Sequence, residues 1–207
     1  MHLPDGIVPL NQAIVYWILT FIIISVFFYK FSSDNNKEKR IVSTAVFTVF
    51  VTLLSALSIP SPLGVPIHFF VIPLVVILLG PFTASIVSFV SLIIQALSLN
   101  MGGITSLGAN FLVMGFIIAV TVHLTYKLLV DLNQQLSIFI ATVIGIMFAT
   151  FGQVIILLLT GAMNFNTLLA TLIPFYLFIS VLEGILNVLI INALKSVKPE
   201  LLEISKI

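Results

Sequence analysis

The chain has 207 residues, of which 60% are hydrophobic and only 7% are charged. A soluble domain carries about 25% charged residues because its surface must face water, so this composition excludes a soluble globule. The sequence contains no cysteine, which excludes disulfides, cysteine-ligated zinc, iron–sulfur clusters and thiol nucleophiles. The composition predicts an all-α integral membrane protein, a single helical-bundle domain over residues 1–207 in the lipid bilayer of the cell membrane.

Apolar stretches long enough to cross the hydrocarbon layer, about 20 residues each, predict seven transmembrane helices. The third is short, because Gly80-Pro81 ends an apolar run that begins at Phe69, and it needs part of the preceding loop to cross. The predicted spans are 10–31, 41–59, 66–79, 82–99, 110–130, 136–160 and 168–194.

The basic residues predict the orientation of these spans. With seven crossings and an outward N-terminus, every lysine and arginine faces the cytoplasm, as the positive-inside rule requires. If the short third segment did not cross, Lys127 and the C-terminal lysines would lie outside. The N-terminus has no basic region and no cleavage site typical of a signal peptide, so we expect Met1 to persist on the outer side and the C-terminus to lie in the cytoplasm. The basic residues are Lys30, Lys37, Lys39, Arg40, Lys127, Lys195, Lys198 and Lys206.

Two of the three histidines, His2 and His68, fall on the predicted outer side, whose segments contain no lysine or arginine. The α-amine of Met1, the deprotonated amide of His2 and the His2 imidazole can close adjacent chelate rings on one metal ion. The His68 imidazole would complete four nitrogens, a set that suits Ni(II) or Cu(II) and that Co(II) also accepts. The alternative is that His2 is a solvated terminal residue and His68 a loop residue, and the residues alone do not decide between these two interpretations.

Polar residues near the predicted site, and one within a span, are candidates for supporting the metal ligands or gating access to them. Glu183 lies midway along the last span, where an unpartnered carboxylate costs several kcal/mol; an intramembrane role and a purely structural hydrogen bond are equally open for it. The candidates are Asp5, Thr105, Ser106, Asn110 and Glu183.

The sequence offers little support for an enzymatic function. The glycine-rich loop at 102–108 lacks the GK[ST] ending of a phosphate-binding loop, so the chain is not expected to hydrolyse ATP. Ser106 stands in Ile-Thr-Ser-Leu-Gly rather than in the G-x-S-x-G elbow of a serine hydrolase. No catalytic residue and no prosthetic group is predicted, and no nucleic acid is expected as a partner.

Several motifs, in their order along nearly the whole chain, resemble the CbiM/NikM family, the substrate-specific (S) components of cobalt and nickel energy-coupling factor (ECF) transporters. The most specific combination is Met-His-Leu-Pro-Asp-Gly at the N-terminus with Gly-Gly-Ile-Thr-Ser-Leu-Gly-Ala-Asn at 102–110. Further matches are Pro60 to His68, Leu-Gly-Pro at 79–81, Gln-Ala-Leu at 95–97, Met-Gly at 114–115 and Leu-Glu-Gly-Ile-Leu at 182–186.

The resemblance implies seven spans, an outward N-terminus that enters the bundle, and a ligand set formed by the Met1 amine, the His2 amide and imidazole, and the His68 imidazole. It also implies a transmembrane coupling (T) subunit, paired cytoplasmic ATPase subunits and, in many members, a small accessory membrane subunit. The transported substrate would be Co(II) or Ni(II), for cobalamin synthesis or nickel enzymes, and the Pro-Asp-Gly terminus favours cobalt weakly.

One departure from the family pattern concerns the residues around the second histidine. Family members usually carry small polar residues before it and a glycine soon after, whereas this chain has Gly64-Val65-Pro66-Ile67 before His68 and two phenylalanines after it. Groups that orient a ligating imidazole commonly change metal affinity by 10–100-fold, so metal preference and affinity are open. Two alternatives to a metal importer are an S component for an organic micronutrient and a membrane protein with a structural role and no ligand.

Overall fold

The computed structural model describes residues 2–32, 37–57, 59 and 67–197. Within these ranges the regular elements are helices, together with one antiparallel bridge between Ile59 and Ile67. The helices are α1 (Leu10–Ser32), α2 (Lys37–Ala56), α3 (Ile72–Ser98), α4 (Leu107–Phe111), a π-helical segment (Leu112–Ile117), α5 (Ile118–Leu129), α6 (Gln134–Leu159) and α7 (Phe165–Val197).

Six of the helices in the described ranges are long and apolar enough to cross a membrane, the fourth being the continuous stretch Leu107–Leu129. The helical membrane bundle predicted from composition is thereby confirmed. The spans predicted at 66–79 and 82–99 fall on the two parts of the single element α3, which is interrupted between them at Gly80; the described helix begins at Ile72 and ends at Ser98. The second predicted span, 41–59, also differs: α2 begins at Lys37 and ends at Ala56.

The element α3 is interrupted at Gly80, whose φ of 80° and ψ of 168° are not helical. Glycine accommodates this positive φ because it has no Cβ, and the following Pro81 suits the first position of a new helical arm. The two arms, 72–79 and 81–98, both run along α2. In the second arm, Ser91 is hydrogen-bonded to Thr52 of α2.

The contacts with α2 show that the chain reverses direction at Gly80. Val71, just before the first arm, lines a cavity with Leu54 of α2, and Leu79 at the end of the arm lines another with Val46, so the arm follows α2 backwards. The second arm follows α2 forwards and reaches its end, where Gln95 donates a hydrogen bond to Ser55. The element α3 is therefore a helical hairpin that begins and ends at the same end of the bundle.

The first arm of this hairpin spans about 12 Å at the helical rise per residue, less than half of the hydrocarbon thickness. All of its residues, 72–79, are buried. A helix that is buried on every side has no polar face, which explains why this short segment is apolar throughout and shows no amphipathic pattern in the sequence.

The remaining contacts assign the other helix ends to the two ends of the bundle. Gln12, near the start of α1, donates to the carbonyl of Leu159 at the end of α6. At the opposite end, Lys195 near the end of α7 donates to Gln134 at the start of α6. Lys30, near the end of α1, lies over the ring of Phe82, just after the hairpin turn.

Candidate metal-binding site

The N-terminal segment is held inside the bundle by main-chain hydrogen bonds at Leu3. The Leu3 N–H donates to Asn110 Oδ1 at 2.8 Å, and the Leu3 carbonyl accepts from Asn110 Nδ2 at 3.0 Å. Ser106 Oγ donates to the same carbonyl at 2.5 Å. Because both polar groups of Leu3 are fixed, the neighbouring His2 has a defined position.

Asp5 makes a second attachment, to the loop that precedes α4. Its carboxylate accepts hydrogen bonds from Thr105 Oγ1 at 2.6 Å and from the main-chain N–H groups of Thr105 at 2.8 Å and Ile104 at 3.1 Å. The N–H of Ser106 lies 3.4 Å from the same carboxylate. The Thr105 hydroxyl, followed by these amides, lowers the pKa of Asp5 below its usual value, so the carboxylate is charged at neutral pH.

Gly103 allows this close approach of the N-terminal segment to the loop. A Cβ at Gly103 would lie 2.1 Å from Asp5 Oδ1 and 2.4 Å from the Asp5 main-chain nitrogen. The contact with the main-chain nitrogen cannot be relieved by a side-chain rotation. Trp17 of α1 donates to the Ile104 carbonyl at 3.1 Å and so holds the same loop against α1.

The imidazole of His2 is hydrogen-bonded to Gln95 near the end of α3. His2 Nε2 lies 2.6 Å from Gln95 Oε1. An amide oxygen only accepts, so Nε2 carries the proton in the neutral ring and Nδ1 keeps a free lone pair. Nδ1 is the nitrogen that can form a six-membered chelate ring with the His2 amide nitrogen.

The orientation of the Gln95 amide is itself fixed by two serines. Gln95 Nε2 donates to Ser55 Oγ at 2.6 Å and to Ser91 Oγ at 2.9 Å. The Ser55 hydroxyl donates to the carbonyl of Val51 at 2.6 Å, which leaves it to act as an acceptor for Gln95. The amide oxygen therefore points towards His2, and the two serines determine the tautomer of His2 through Gln95.

His68 is attached to the same serine through the main chain. His68 Nδ1 lies 3.2 Å from the carbonyl oxygen of Ser55. Since a carbonyl only accepts, Nδ1 carries the proton and Nε2 has the free lone pair. The residues His2, Gln95, Ser55 and His68 thus form one connected group, in which each imidazole has one anchored nitrogen and one nitrogen free to bind a metal.

Burial, the largest effect, and the positive charge of the N-terminal amine together lower the pKa of His2 to about 4. The hydrogen bond to Gln95 opposes the shift, and the nearby His68 adds to it. His2 is therefore neutral at physiological pH, and no proton needs to leave its imidazole before metal binding.

The described residues contain no group of three or more His, Cys, Asp or Glu side chains placed to hold a metal ion. A site at His2 and His68 therefore needs further donors from the main chain. Met1, whose amine is the predicted donor, lies outside the described residues, as do Val65 and Pro66 of the unusual run before His68.

The candidate supporting residues fall into two groups. Asp5, Thr105, Ser106 and Asn110 lie together and hold the N-terminal segment through the contacts above. Glu183 lies apart from them and accepts hydrogen bonds from the main chain of Phe70 and Val71, next to His68.

Sequence reasoning did not assign a role at the site to Ser55, Ser91 or Gln95. In the sequence, Gln95 was noted as part of the Gln-Ala-Leu motif at 95–97. One part of this group was visible in the sequence: Ser91 and Gln95 are four residues apart, so they lie on one face of an otherwise apolar helix. Their partner Ser55 stands about 40 residues away, and only the hairpin of α3 brings it near.

The chain is similar to known proteins over most of its length. Residues 2–201 match the family model described as "CbiM: Cobalt uptake substrate-specific transmembrane region". The cobalt transport protein CbiM of Clostridium tetani is 32% identical over 199 residues, covering 92% of this chain and 82% of that protein. The protein of the same name from Thermosipho melanesiensis is 30% identical over 213 residues, covering 98% of this chain and 90% of that protein.

Two solved structures share the fold. A crystal structure described as a transition metal transporter superposes with a TM-score of 0.86 at 26% identity, covering 95% of this chain and 93% of that one. A truncated transition metal transporter superposes with a TM-score of 0.85 at 26% identity, covering 95% and 99%.

Proposed function

Because the chain belongs to the CbiM family of cobalt-uptake substrate-specific transmembrane proteins, we propose that it captures Co(II), or alternatively Ni(II), outside the cell and delivers it to the cytoplasm. In this role it is the S component of an ECF importer. The observation that carries the proposal is the pair of imidazoles, His2 and His68, whose hydrogen bonds leave His2 Nδ1 and His68 Nε2 free.

The proposed ligands are four nitrogens. The Met1 amine and the His2 amide close a five-membered chelate ring on the metal, and the His2 amide and Nδ1 close a six-membered one. His68 Nε2 supplies the fourth nitrogen. Four nitrogens in a plane suit Ni(II) and are also compatible with Co(II), and the names of the relatives favour cobalt.

We further propose seven passages of the chain through the bilayer. The second arm of α3 makes one of them, and the short first arm makes another together with the segment that precedes it. This count is supported by the contacts that bring both ends of α3 to Ser55. It puts His2, His68 and the loop at 104–106 on one side. The basic residues Lys30, Lys127 and Lys195 then fall at the other end of their helices, the cytoplasmic end by the positive-inside rule.

The energy for transport would come from other subunits. The chain contains no phosphate-binding motif of the Walker type, so import requires a T subunit and cytoplasmic ATPase subunits, with or without a small accessory membrane subunit. The delivered metal would serve cobalamin synthesis or nickel enzymes.

The test is a titration of the purified protein with Co(II) and with Ni(II), comparing the native chain with His68→Ala. We expect tight binding to the native chain and a loss of high affinity in the variant, without unfolding, because the apolar spans rather than His68 hold the bundle together. Equal binding by both chains would remove His68 from the ligand set. Binding of a ligand that survives a chelator would instead favour an organic micronutrient, and no thermal stabilisation by any metal would favour a structural role.

A further inference from the structure

Glu183 is an acidic residue in the middle of α7 whose side chain is only 2% exposed. Its two carboxylate oxygens bind two consecutive main-chain N–H groups. Oε2 accepts from Phe70 and Oε1 accepts from Val71, both at 2.8 Å. Because both oxygens are engaged, the contact fixes the geometry of the main chain at 70–71 as well as its distance from α7.

The segment that Glu183 holds has an unfavourable backbone conformation. Val71, the residue before α3, has a φ of 63° and a ψ of −22°. A β-branched residue rarely adopts a positive φ, so this conformation persists only where surrounding contacts enforce it. The bidentate contact with Glu183 is such a constraint.

Neighbouring packing gives this segment room to move if the contact is lost. A cavity of about 210 Å³ lies beside Glu183, between Leu54 of α2, Leu186 of α7, and Phe69 and Val71 of the segment itself. His68 precedes Phe69 directly, and the contact found for its imidazole is a 3.2 Å hydrogen bond to Ser55. Without Glu183, the segment can shift into the cavity and carry His68 with it.

We propose that Glu183 is a positioning residue for His68: by holding the main chain at 70–71, it places the His68 imidazole at the distance from His2 that metal binding requires. This inference rests on the proposed function, because it assumes that His68 is a ligand. It differs from a direct role in binding, since Glu183 acts through the main chain of another segment and does not touch the metal.

The experiment measures Co(II) and Ni(II) affinity in Glu183→Ala and Glu183→Gln. The matched control is Asn187→Ala, one turn further along α7. Asn187 is also buried and lines the same cavity, but its amide binds Thr142 of α6 and not the His68 segment. We expect a 10–100-fold loss of affinity in Glu183→Ala, the range typical of groups that orient ligands. A smaller loss is expected in Glu183→Gln, which keeps one acceptor oxygen, and none in the control.

Repeating Glu183→Ala in a His68→Ala background separates positioning from a general effect on the fold. There, the residual weak binding by the N-terminal nitrogens should not change further, because the ligand that Glu183 positions is already missing. A second, equal loss in that background would overturn the inference, and so would unchanged affinity of both Glu183 variants in the native background.

Hydrogen exchange of the peptide spanning 68–72 provides a readout that needs no metal. We expect faster exchange of the Phe70 and Val71 amides in both Glu183 variants than in native protein or in Asn187→Ala. Unchanged exchange would contradict the contact itself. If the native chain binds no metal while exchange is accelerated as expected, the proposed function fails and the structural role of Glu183 stands, so the two failures are distinguishable.

Discussion

Nε2 of His2 donates a hydrogen bond to the side-chain oxygen of Gln95 across 2.6 Å, and this contact links the N-terminus of the chain to the end of the α3 hairpin. Two serines hold the Gln95 amide in the orientation that presents its oxygen to His2. The tautomer of His2 is thus determined by residues on two helices that are distant in sequence. Hydrogen-bond partners of this kind fix the tautomer and the ring orientation of a ligating imidazole before the metal binds.

Replacement of Gln95 by alanine should therefore weaken metal binding even though Gln95 is not a ligand. The variant loses the acceptor that keeps the proton on His2 Nε2, and Ser55 and Ser91 lose their donor. We expect a 10–100-fold lower affinity for Co(II) or Ni(II), measured by titration. Gln12→Ala is the control, because Gln12 bonds the carbonyl of Leu159 away from the imidazoles and should bind metal like the native chain. Equal affinities in the two variants would contradict the role of Gln95.

Replacement of Gly103 by alanine should displace the N-terminal segment. The added Cβ would lie 2.4 Å from the Asp5 main-chain nitrogen, and overpacking of this kind costs about 1–3 kcal/mol of unfolding free energy. We expect a lower melting temperature and loss of high-affinity metal binding.

The control for this prediction is Gly161→Ala in the turn between α6 and α7. Gly161 has a φ of 68° and no atom within 4 Å of an added Cβ. The substitution strains the backbone by about 1–2 kcal/mol and leaves the N-terminal segment untouched, so metal binding should persist. Loss of binding in the control, or its retention in Gly103→Ala, would be inconsistent with the proposed site.

The stability of the metal-free protein should depend on pH through His2. Its pKa is lowered from 6.5 to about 4 in the folded protein, so between these values the unfolded chain binds a proton that the folded chain does not. The free energy of unfolding therefore falls as pH decreases from 6.5 to about 4, and this contribution levels off below the folded pKa. Melting temperatures measured from neutral pH to pH 4 should fall more steeply in the native protein than in His2→Asn. Parallel curves would show that His2 is not buried as the structure places it.

The topology can be tested with single cysteines, since the native sequence has none. Ala162 lies in the turn after α6 and Asp131 in the turn after α5, and both are exposed. In intact cells, a membrane-impermeant maleimide should label Ala162→Cys and not Asp131→Cys, because the first lies at the end of the bundle that carries Gln12 and Leu159. The reverse pattern would place the N-terminus in the cytoplasm.

The sequence alone predicted the class of fold and most of the helices, because long apolar runs in a nearly uncharged chain leave few other structures. The break between the two parts of α3 was readable as Gly80-Pro81, whereas the start of the short first arm at Ile72 was not, since periodicity gives no signal for a short helix buried on every side. The close approach that makes Gly103 necessary also depends on tertiary contacts, although the pair Gly102-Gly103 was visible.

At the site, the residue types of His2 and His68 were sufficient to identify them as candidate ligands. The residues that anchor them could not be identified from the sequence. In the sequence, Ser55 is one of several serines in apolar spans. Only the folded hairpin of α3 brings Gln95 within hydrogen-bond distance of it. Glu183 was recognisable as a residue that needs a partner in the membrane, because a buried carboxylate without one is costly. Its partners, the N–H groups of Phe70 and Val71, are main-chain groups that carry no sequence signal.

The central claim, that the chain terminus itself binds the metal, is tested most directly by inserting one alanine between Met1 and His2 and titrating with Co(II) and Ni(II). The insertion keeps every side chain but moves the α-amine away from the His2 amide, so the adjacent chelate rings cannot form. The account predicts that the native protein binds tightly and that the insertion variant loses high-affinity binding for both metals. Unchanged binding in the variant would contradict the account, because the histidines would then act without the terminus or not at all.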